Sequence, residues 1–385
     1  MRFITSDRGS ATLLLAAAAL ALILAATPLG PGLLAARDLH LPVDFTGLHL
    51  TVEHLISDGL LAIFFLLIAI ELRHELTHGD LANPRAAIVP AAAAFGGVAL
   101  PAAVYLAFTG GGEASGGWPI PTATDIAFAL GLLALLGRGL PSRVRAFLLG
   151  LAILDDLIAI LLIAVVFPKN LQPLLLLPAA ALLGVFLLVA RLTPRRPGVR
   201  LTALVVLGVL VWYFTALSGV HATLAGVALG LVLPAGLAGR TDRALQPVSR
   251  GLILPIFAFS ASLIRLEDVS GETFGPAFWG VAVGLPVGKL VGIMVATTIA
   301  VALVGRTSPS RLTPQEIVAV GLVAGVGFTV SLLMAQLAFG EGMLGTSTTL
   351  GVLIGSAISI VLSAVFVPLI ARRSRQAQEA LVPQP

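Results

Sequence analysis

Cysteine is absent from this 385-residue chain. That excludes disulfides, thiolate metal sites and cysteine nucleophiles, and leaves the compartment open. Charge is scarce as well: 11% of residues are Asp, Glu, Lys or Arg, against about 25% in soluble domains. No polar stretch is long enough for a second, soluble domain, so residues 1–385 read as a single integral-membrane domain. The sequence pI is near 10.3, but the basic residues are scattered through short loops and form no patch, which argues against nucleic acid as a partner. What remains is 58% hydrophobic, the composition of an all-α polytopic membrane protein embedded in a lipid bilayer.

Apolar runs separated by Pro, Gly and charge clusters predict twelve transmembrane helices. They fall near 10–29, 53–76, 85–109, 119–137, 142–167, 172–190, 200–216, 219–235, 248–265, 276–304, 315–338 and 346–370. Threading these spans sorts the loop cations sharply. Nineteen Lys and Arg residues fall on one side and only Arg37, Lys169 and Arg265 on the other, with Lys289 inside a span. The positive-inside bias then places both termini in the cytoplasm. The first run can also be read as a cleaved signal peptide, since Arg2 and Arg8 precede an Ala/Leu stretch ending in Thr27-Pro28. Between the first two spans, Val43–Leu50 alternates around Thr46-Gly47, a short extracytoplasmic β-hairpin or an ordinary loop. An isolated hairpin is marginal in water and would need a partner, such as a second copy of the chain.

The feature that a plain helix bundle does not need is Asp155 beside Asp156, within the otherwise apolar 146–167. A span starting near Ser142 puts this pair roughly 20 Å deep at 1.5 Å per residue, in a bilayer core of about 30 Å. An ionisable residue there costs about 2.5–3.5 kcal/mol on insertion scales. Neighbours on a helix point about 100° apart, so the two carboxylates face different partners. Either the pair staples helices together or it is an ion or proton site.

Three other spans carry features of the same kind. Pro119 and Pro121 precede Thr122, Thr124 and Asp125; proline breaks a helix, and Thr or Asp suits the cap of the next one. Gly321, Gly325 and Gly327, followed by Thr329 and Ser331, are either small-residue packing or a second break. Lys289 lies halfway along its span, too deep to snorkel, and one of the paired Asp residues is its natural counter-charge.

Several segments resemble NhaA-type bacterial sodium/proton antiporters over nearly the full length. They are Phe64–Leu67 with Glu71, Ala123–Gly131, Ala152–Asp156, Ser218–Val227, Gly288-Lys289 and Gly325–Ser331. The resemblance implies inverted-topology repeats near 85–167 and 276–370, with two discontinuous helices crossing at their breaks. It implies a bacterial inner-membrane protein that exchanges cytoplasmic Na+, with Li+ as a second ion, for external H+, without a cofactor. Asp156 matches the principal ion ligand, and Asp155 a neighbour that gates the site or pairs with Lys289; Thr124 lies beside them, so Na+ is expected at Asp156, Asp155 and Thr124. Asp125 would offset the facing half-helix N-termini and Lys289 the facing C-termini, with Gly325, Gly327 and Thr329 forming the second break. Glu71, His74, Glu75 and Asp242 fall where the family regulates activity by pH, although His74 and Asp242-Arg243 depart from the usual residues. His221 is expected to make a helix–helix hydrogen bond, and Asp58, about 10 Å into its span, an accessory polar contact.

Competition suffices as a mechanism: a carboxylate in the bilayer interior is stabilised by a proton or by a cation. Hard oxygen ligands suit a small alkali ion. Two titrating groups, both Asp or Asp156 with Lys289, exchanging for one Na+ move net positive charge inward. A sodium-coupled organic-anion symporter would not need adjacent mid-membrane Asp plus Lys. An intramembrane aspartyl protease, with Asp125 and Asp155 or Asp156 as its dyad, lacks the expected Gly-x-Gly-Asp signature and leaves Lys289 unexplained. An ion channel would not collapse without a pH gradient.

Overall fold

The computed structural model describes residues 7–41, 50–168, 170–192, 197–304 and 312–379. In chain order the first helices are α1 (Asp7–Ala25), α2 (Gly30–Arg37), α3 (Val52–His78), α4 (Pro84–Thr109), α5 (Ile126–Leu136), α6 (Ser142–Val166) and α7 (Leu176–Arg191). They continue with α8 (Pro197–Leu217), α9 (Thr223–Val232), α10 (Ala235–Ser262), α11 (Pro276–Leu303), α12 (Pro314–Ala324), α13 (Phe328–Phe339) and α14 (Met343–Glu379). No strand occurs among the described residues. His40 and Thr51 form an isolated antiparallel bridge, flanked by a 2.8 Å bond from the Leu41 N–H to the Leu50 carbonyl. The hairpin expected at Val43–Leu50 lies, but for Leu50, outside the described residues. So do Arg2, Lys169, Arg195, Arg196, Arg306 and Arg311 of the charge tally.

Eight helices among the described residues are long and apolar enough to cross a bilayer, or up to eleven if each sharply bent pair is one span. The protein is therefore a multi-pass membrane protein. The bent pairs are α1 with α2 at 116°, the short turns of Glu113–Thr122 with α5 at 45°, and α12 with α13 at 49°. The first expected span, 10–29, ends at Ala25, where the Thr27 hydroxyl bonds back to the Leu24 carbonyl at 2.7 Å and the chain turns. The expected span 219–235 contains the ten-residue α9, which reaches roughly 15 Å at 1.5 Å per residue.

Contacts divide the chain into two compact units. The second, residues 16–74 and 160–263, is built on a core of Ile70, Phe186, Val211, Ala225 and Leu229, packed by Leu66, Leu204 and Trp212. Here α9 lies directly on α3, because Gly226 and Gly230 let its backbone touch that of Ala62 and Leu66. A second tie, Arg73 Nη1 to the Leu231 carbonyl at 2.8 Å, satisfies one of the carbonyls at the C-terminus of α9.

The first unit comprises residues 1–15, 75–159 and 264–385. Its tightest pairing is α4 against α11, where Gly96 and Gly292 meet backbone to backbone. Small residues at such a crossing are how membrane helices gain packing without a hydrophobic driving force. Farther along the same seam Gly288 faces Pro101, and a Cβ there would come within 2.8 Å of the proline Cα. Within α11, residues Gly284–Gly288 form a wide π-turn. Pro286 lies inside it and has no N–H to give, so the regular i to i−4 ladder cannot continue. Lys289 follows immediately.

The Gly96/Gly292 contact sets a stability test. Gly292→Val should lower the melting temperature of the purified protein by the equivalent of about 1–3 kcal/mol of overpacking. Gly184→Val on α7, where a Cβ meets nothing within 4 Å, should leave it unchanged. Equal melting temperatures for the two variants would show that the α4–α11 seam opens freely.

Candidate functional site

The site belongs to the first unit and begins with the two interruptions. Before α5 the chain makes only short 3-10 turns, Glu113–Gly117 and Ile120–Thr122, then becomes extended at Ala123. Pro119 and Pro121 explain why no longer helix precedes the break. Asp125 caps α5, its Oδ1 accepting from the Phe128 N–H at 3.0 Å. The second interruption is Gly325–Gly327, between α12 and α13. Phe328 there has φ +20°, outside the regions where a side chain is comfortable.

The two breaks satisfy one another. The Asp125 N–H donates to the Val326 carbonyl at 2.9 Å, and the Thr124 hydroxyl to the Ala324 carbonyl at 3.0 Å. Asp125 Oδ2 accepts from the Thr329 hydroxyl at 2.7 Å and from its N–H at 3.4 Å. One buried carboxylate thus touches the N-termini of both α5 and α13, where its charge is favoured by the exposed amides and the dipoles. Two further partners come from α14: Ser359 donates to the Gly325 carbonyl at 2.9 Å, and Ser356 Oγ accepts from the Phe328 N–H at 3.3 Å.

Lys289, fully buried, reaches this junction from α11. Its Nζ donates to Asp155 Oδ2 at 2.7 Å and to Thr124 Oγ1 at 2.6 Å. Thr124 therefore gives its proton to Ala324 and its lone pair to the ammonium. Asp155 Oδ1 is buried with no hydrogen-bond partner among the described residues. Asp156, the next residue on α6, is 4% exposed, and its charge also acts on Lys289.

Asp155, Asp156, Thr124, Asp125, Lys289, Gly325, Gly327 and Thr329 thus gather in one unit. The other expected positions do not all join them: Glu71 and His74 of α3 and Asp242 of α10 belong to the second unit, whereas Glu75 belongs to the first. Asp58 and His221 meet within the second unit at 3.4 Å. His221 Nδ1 lies 3.1 Å from the Thr223 hydroxyl, and the Trp212 indole donates to the Asp58 carbonyl. Sequence reasoning missed Ser356 and Ser359, although their spacing with Ser363 along an apolar span was a visible stripe. It also missed a pair at the start of α6, where Arg143 Nη2 lies 2.7 Å from Oε1 of Glu316, itself only 1% exposed and capping α12. Arg143 had counted only as one loop cation among many.

Two interrupted membrane helices joined at their breaks, with a buried ammonium–carboxylate pair beside the junction, define a polytopic membrane transporter of the secondary type. The profile of the Na+/H+ antiporter 1 family matches residues 1–367. The chain belongs to this family. It is 49% identical over 383 residues to "Na(+)/H(+) antiporter NhaA 2" of Clavibacter michiganensis, covering 98% of this chain and 94% of that one. It is 42% identical over 385 residues to the NhaA antiporter of Frankia casuarinae, covering 96% and 86%. Against that of Cronobacter sakazakii it is 40% identical over 380 residues, covering 94% and 95%.

Thr329 and Ser331 give a matched pair of buried hydroxyls, one bonded to Asp125 and one without a partner among the described residues. Thr329→Val should cost about 1.5–3 kcal/mol, the range for a hydrogen bond to a charged group, read as a lower melting temperature. Ser331→Ala should cost nothing measurable. Equal stabilities would mean that the carboxylate does not depend on the α13 hydroxyl.

Proposed function

We propose that this protein exchanges cytoplasmic Na+, and Li+, for external protons across the bacterial inner membrane, with net positive charge moving inward. The observation that carries the proposal is the Lys289 ammonium bonded to Asp155 and Thr124 beside buried Asp156. An ammonium and an alkali ion compete for the same oxygen atoms. Thr124 keeps its lone pair available because its proton is committed to Ala324. Asp156 acts as principal ligand, with Asp155 and Thr124 completing the set once Lys289 withdraws. Asp125 carries no ion in this scheme: both its carboxylate oxygens accept from the α5 and α13 N-termini, where the charge tunes the field. That commitment also removes Asp125 from any aspartyl-protease dyad.

The scheme assumes twelve crossings with both termini cytoplasmic, the short α9 counted among them, and inverted repeats over 85–167 and 276–370 within one transporter domain. Glu71, His74, Glu75 and Asp242 are the positions through which pH would regulate exchange. The scheme includes a homodimer through a hairpin at 43–50; the antiparallel bridge between His40 and Thr51, on either side of that segment, supports this reading.

The decisive assay is ΔpH dissipation by purified protein in proteoliposomes, driven by Na+, Li+ or K+ with and without an imposed membrane potential. Wild type should respond to Na+ and Li+ and to the potential. Asp156→Asn keeps size and polarity but cannot exchange a proton, so it should lose the response while retaining yield and melting temperature. Robust Na+ response from that variant removes Asp156 as the ion ligand.

The dimer is tested separately. Deleting Asp44–His49 should leave monomers on crosslinking that still exchange Na+, since every proposed ligand lies in one chain. Dimers persisting at wild-type level would refute the hairpin's part in assembly.

A further inference from the structure

We propose that Ser359, on α14, is a positioning residue of the ion site, acting through the backbone of Gly325; the inference rests on the exchange function proposed above. Ser359 is 1% exposed and touches none of Lys289, Asp155 or Asp156 by hydrogen bond. Its hydroxyl instead donates to the Gly325 carbonyl at 2.9 Å. The preceding carbonyl, Ala324, accepts the Thr124 hydroxyl, and Thr124 in turn accepts from Lys289, which holds Asp155. A continuous run of bonds therefore leads from a serine on the last helix to the buried ion pair. The one covalent step in the run is the Gly325 backbone, which links its own carbonyl to that of Ala324.

The local chemistry supports a positioning role over plain packing. Gly325 ends α12 with carbonyls that no following turn can use, since the chain is interrupted at once. Such a group in an apolar interior must find a partner or bear a large cost. Ser359 is that partner, and it comes close because position 325 is glycine: a Cβ there would sit 2.8 Å from the Ser359 oxygen. The same hydroxyl lies 3.0 Å from its own Gly355 carbonyl, a bond that serine often makes within a helix. One proton serves two acceptors, so Ser359 can release Gly325 without being orphaned itself. The Gly325–Val326 peptide plane is thereby tied to the rotamer of one side chain, and through the Gly325 backbone so is the Ala324 carbonyl that seats Thr124.

Ser363 is the internal control. It lies one turn farther along α14, is fully buried, and has no hydrogen-bond partner among the described residues. Ser359→Ala, Ser359→Cys and Ser363→Ala would be compared with wild type in proteoliposomes, reading apparent KM for Na+ and maximal rate separately. Backbone amide exchange over 324–329 would be read on the same proteins. Ser359→Ala should raise KM about threefold to tenfold, as loss of one hydrogen bond allows, with little change in maximal rate and faster exchange at Val326 and Phe328. Cysteine keeps the volume and a weak donor, so Ser359→Cys should fall between wild type and Ala; it also carries the test if the alanine variant fails to fold. Ser363→Ala should match wild type in both readouts. A Ser359 variant with the KM and amide exchange of Ser363→Ala overturns the proposal. If Asp156→Asn still exchanges Na+ in the same assay, it is the ion-site reading that fails, whereas the amide exchange judges Ser359 regardless.

Discussion

The 2.7 Å contact between Lys289 and Asp155 is the constraint on which the first unit depends. Each charge alone would be expensive in a membrane interior, and each makes the other tolerable only if the geometry is held closely. That geometry is imposed from three directions. The glycine seam of α4 and α11 sets the lysine backbone, α6 carries the carboxylate, and Thr124 offers the ammonium a second oxygen. A pair of this kind contributes little net stability. Its value lies in specifying one arrangement of helices, with an oxygen cluster that a small cation can also use.

The broken helices follow from the same dielectric argument. Opened backbone at membrane depth must be satisfied inside the protein. Here the satisfaction is reciprocal: the break before α5 donates to carbonyls of the break after α12, and one carboxylate serves both new N-termini. Each interruption therefore costs less beside the other than it would alone. The α14 serines supply what this reciprocity leaves over.

Much of this was legible in the residues. Long apolar runs announce membrane helices, Pro119 and Pro121 announce the first break, and an Asp pair with a lone Lys in apolar spans announces a charge site. What stayed hidden depends on distances across the fold. That Lys289 pairs with Asp155 and not Asp156 was offered only by the family resemblance, as one of two roles, and nothing local says that Thr124 would stand between an ammonium and a carbonyl 200 residues away in sequence. Ser359 looked like any small residue in a membrane helix. Glycines 325 and 327 fitted packing and breakage equally, and only the partner carbonyls decide between them. The 219–235 run shows its apolar length but not where its helix begins and stops; between Gly219, with its φ of +77°, and Leu233-Pro234 the helix covers ten residues, Thr223–Val232.

The π-turn at Gly284–Gly288 has an evolutionary corollary. Such a turn holds one residue more than the α-helical path it replaces, and that extra residue sets the azimuth of everything downstream. Losing any one of the five would rewind the segment and swing Lys289 by about 100°, away from the carboxylate it faces. Substitutions on the lipid side of α11 leave this phase untouched, whereas a single-codon deletion does not. The lipid side of the span should therefore drift freely in composition across its descendants while the length of the span stays frozen.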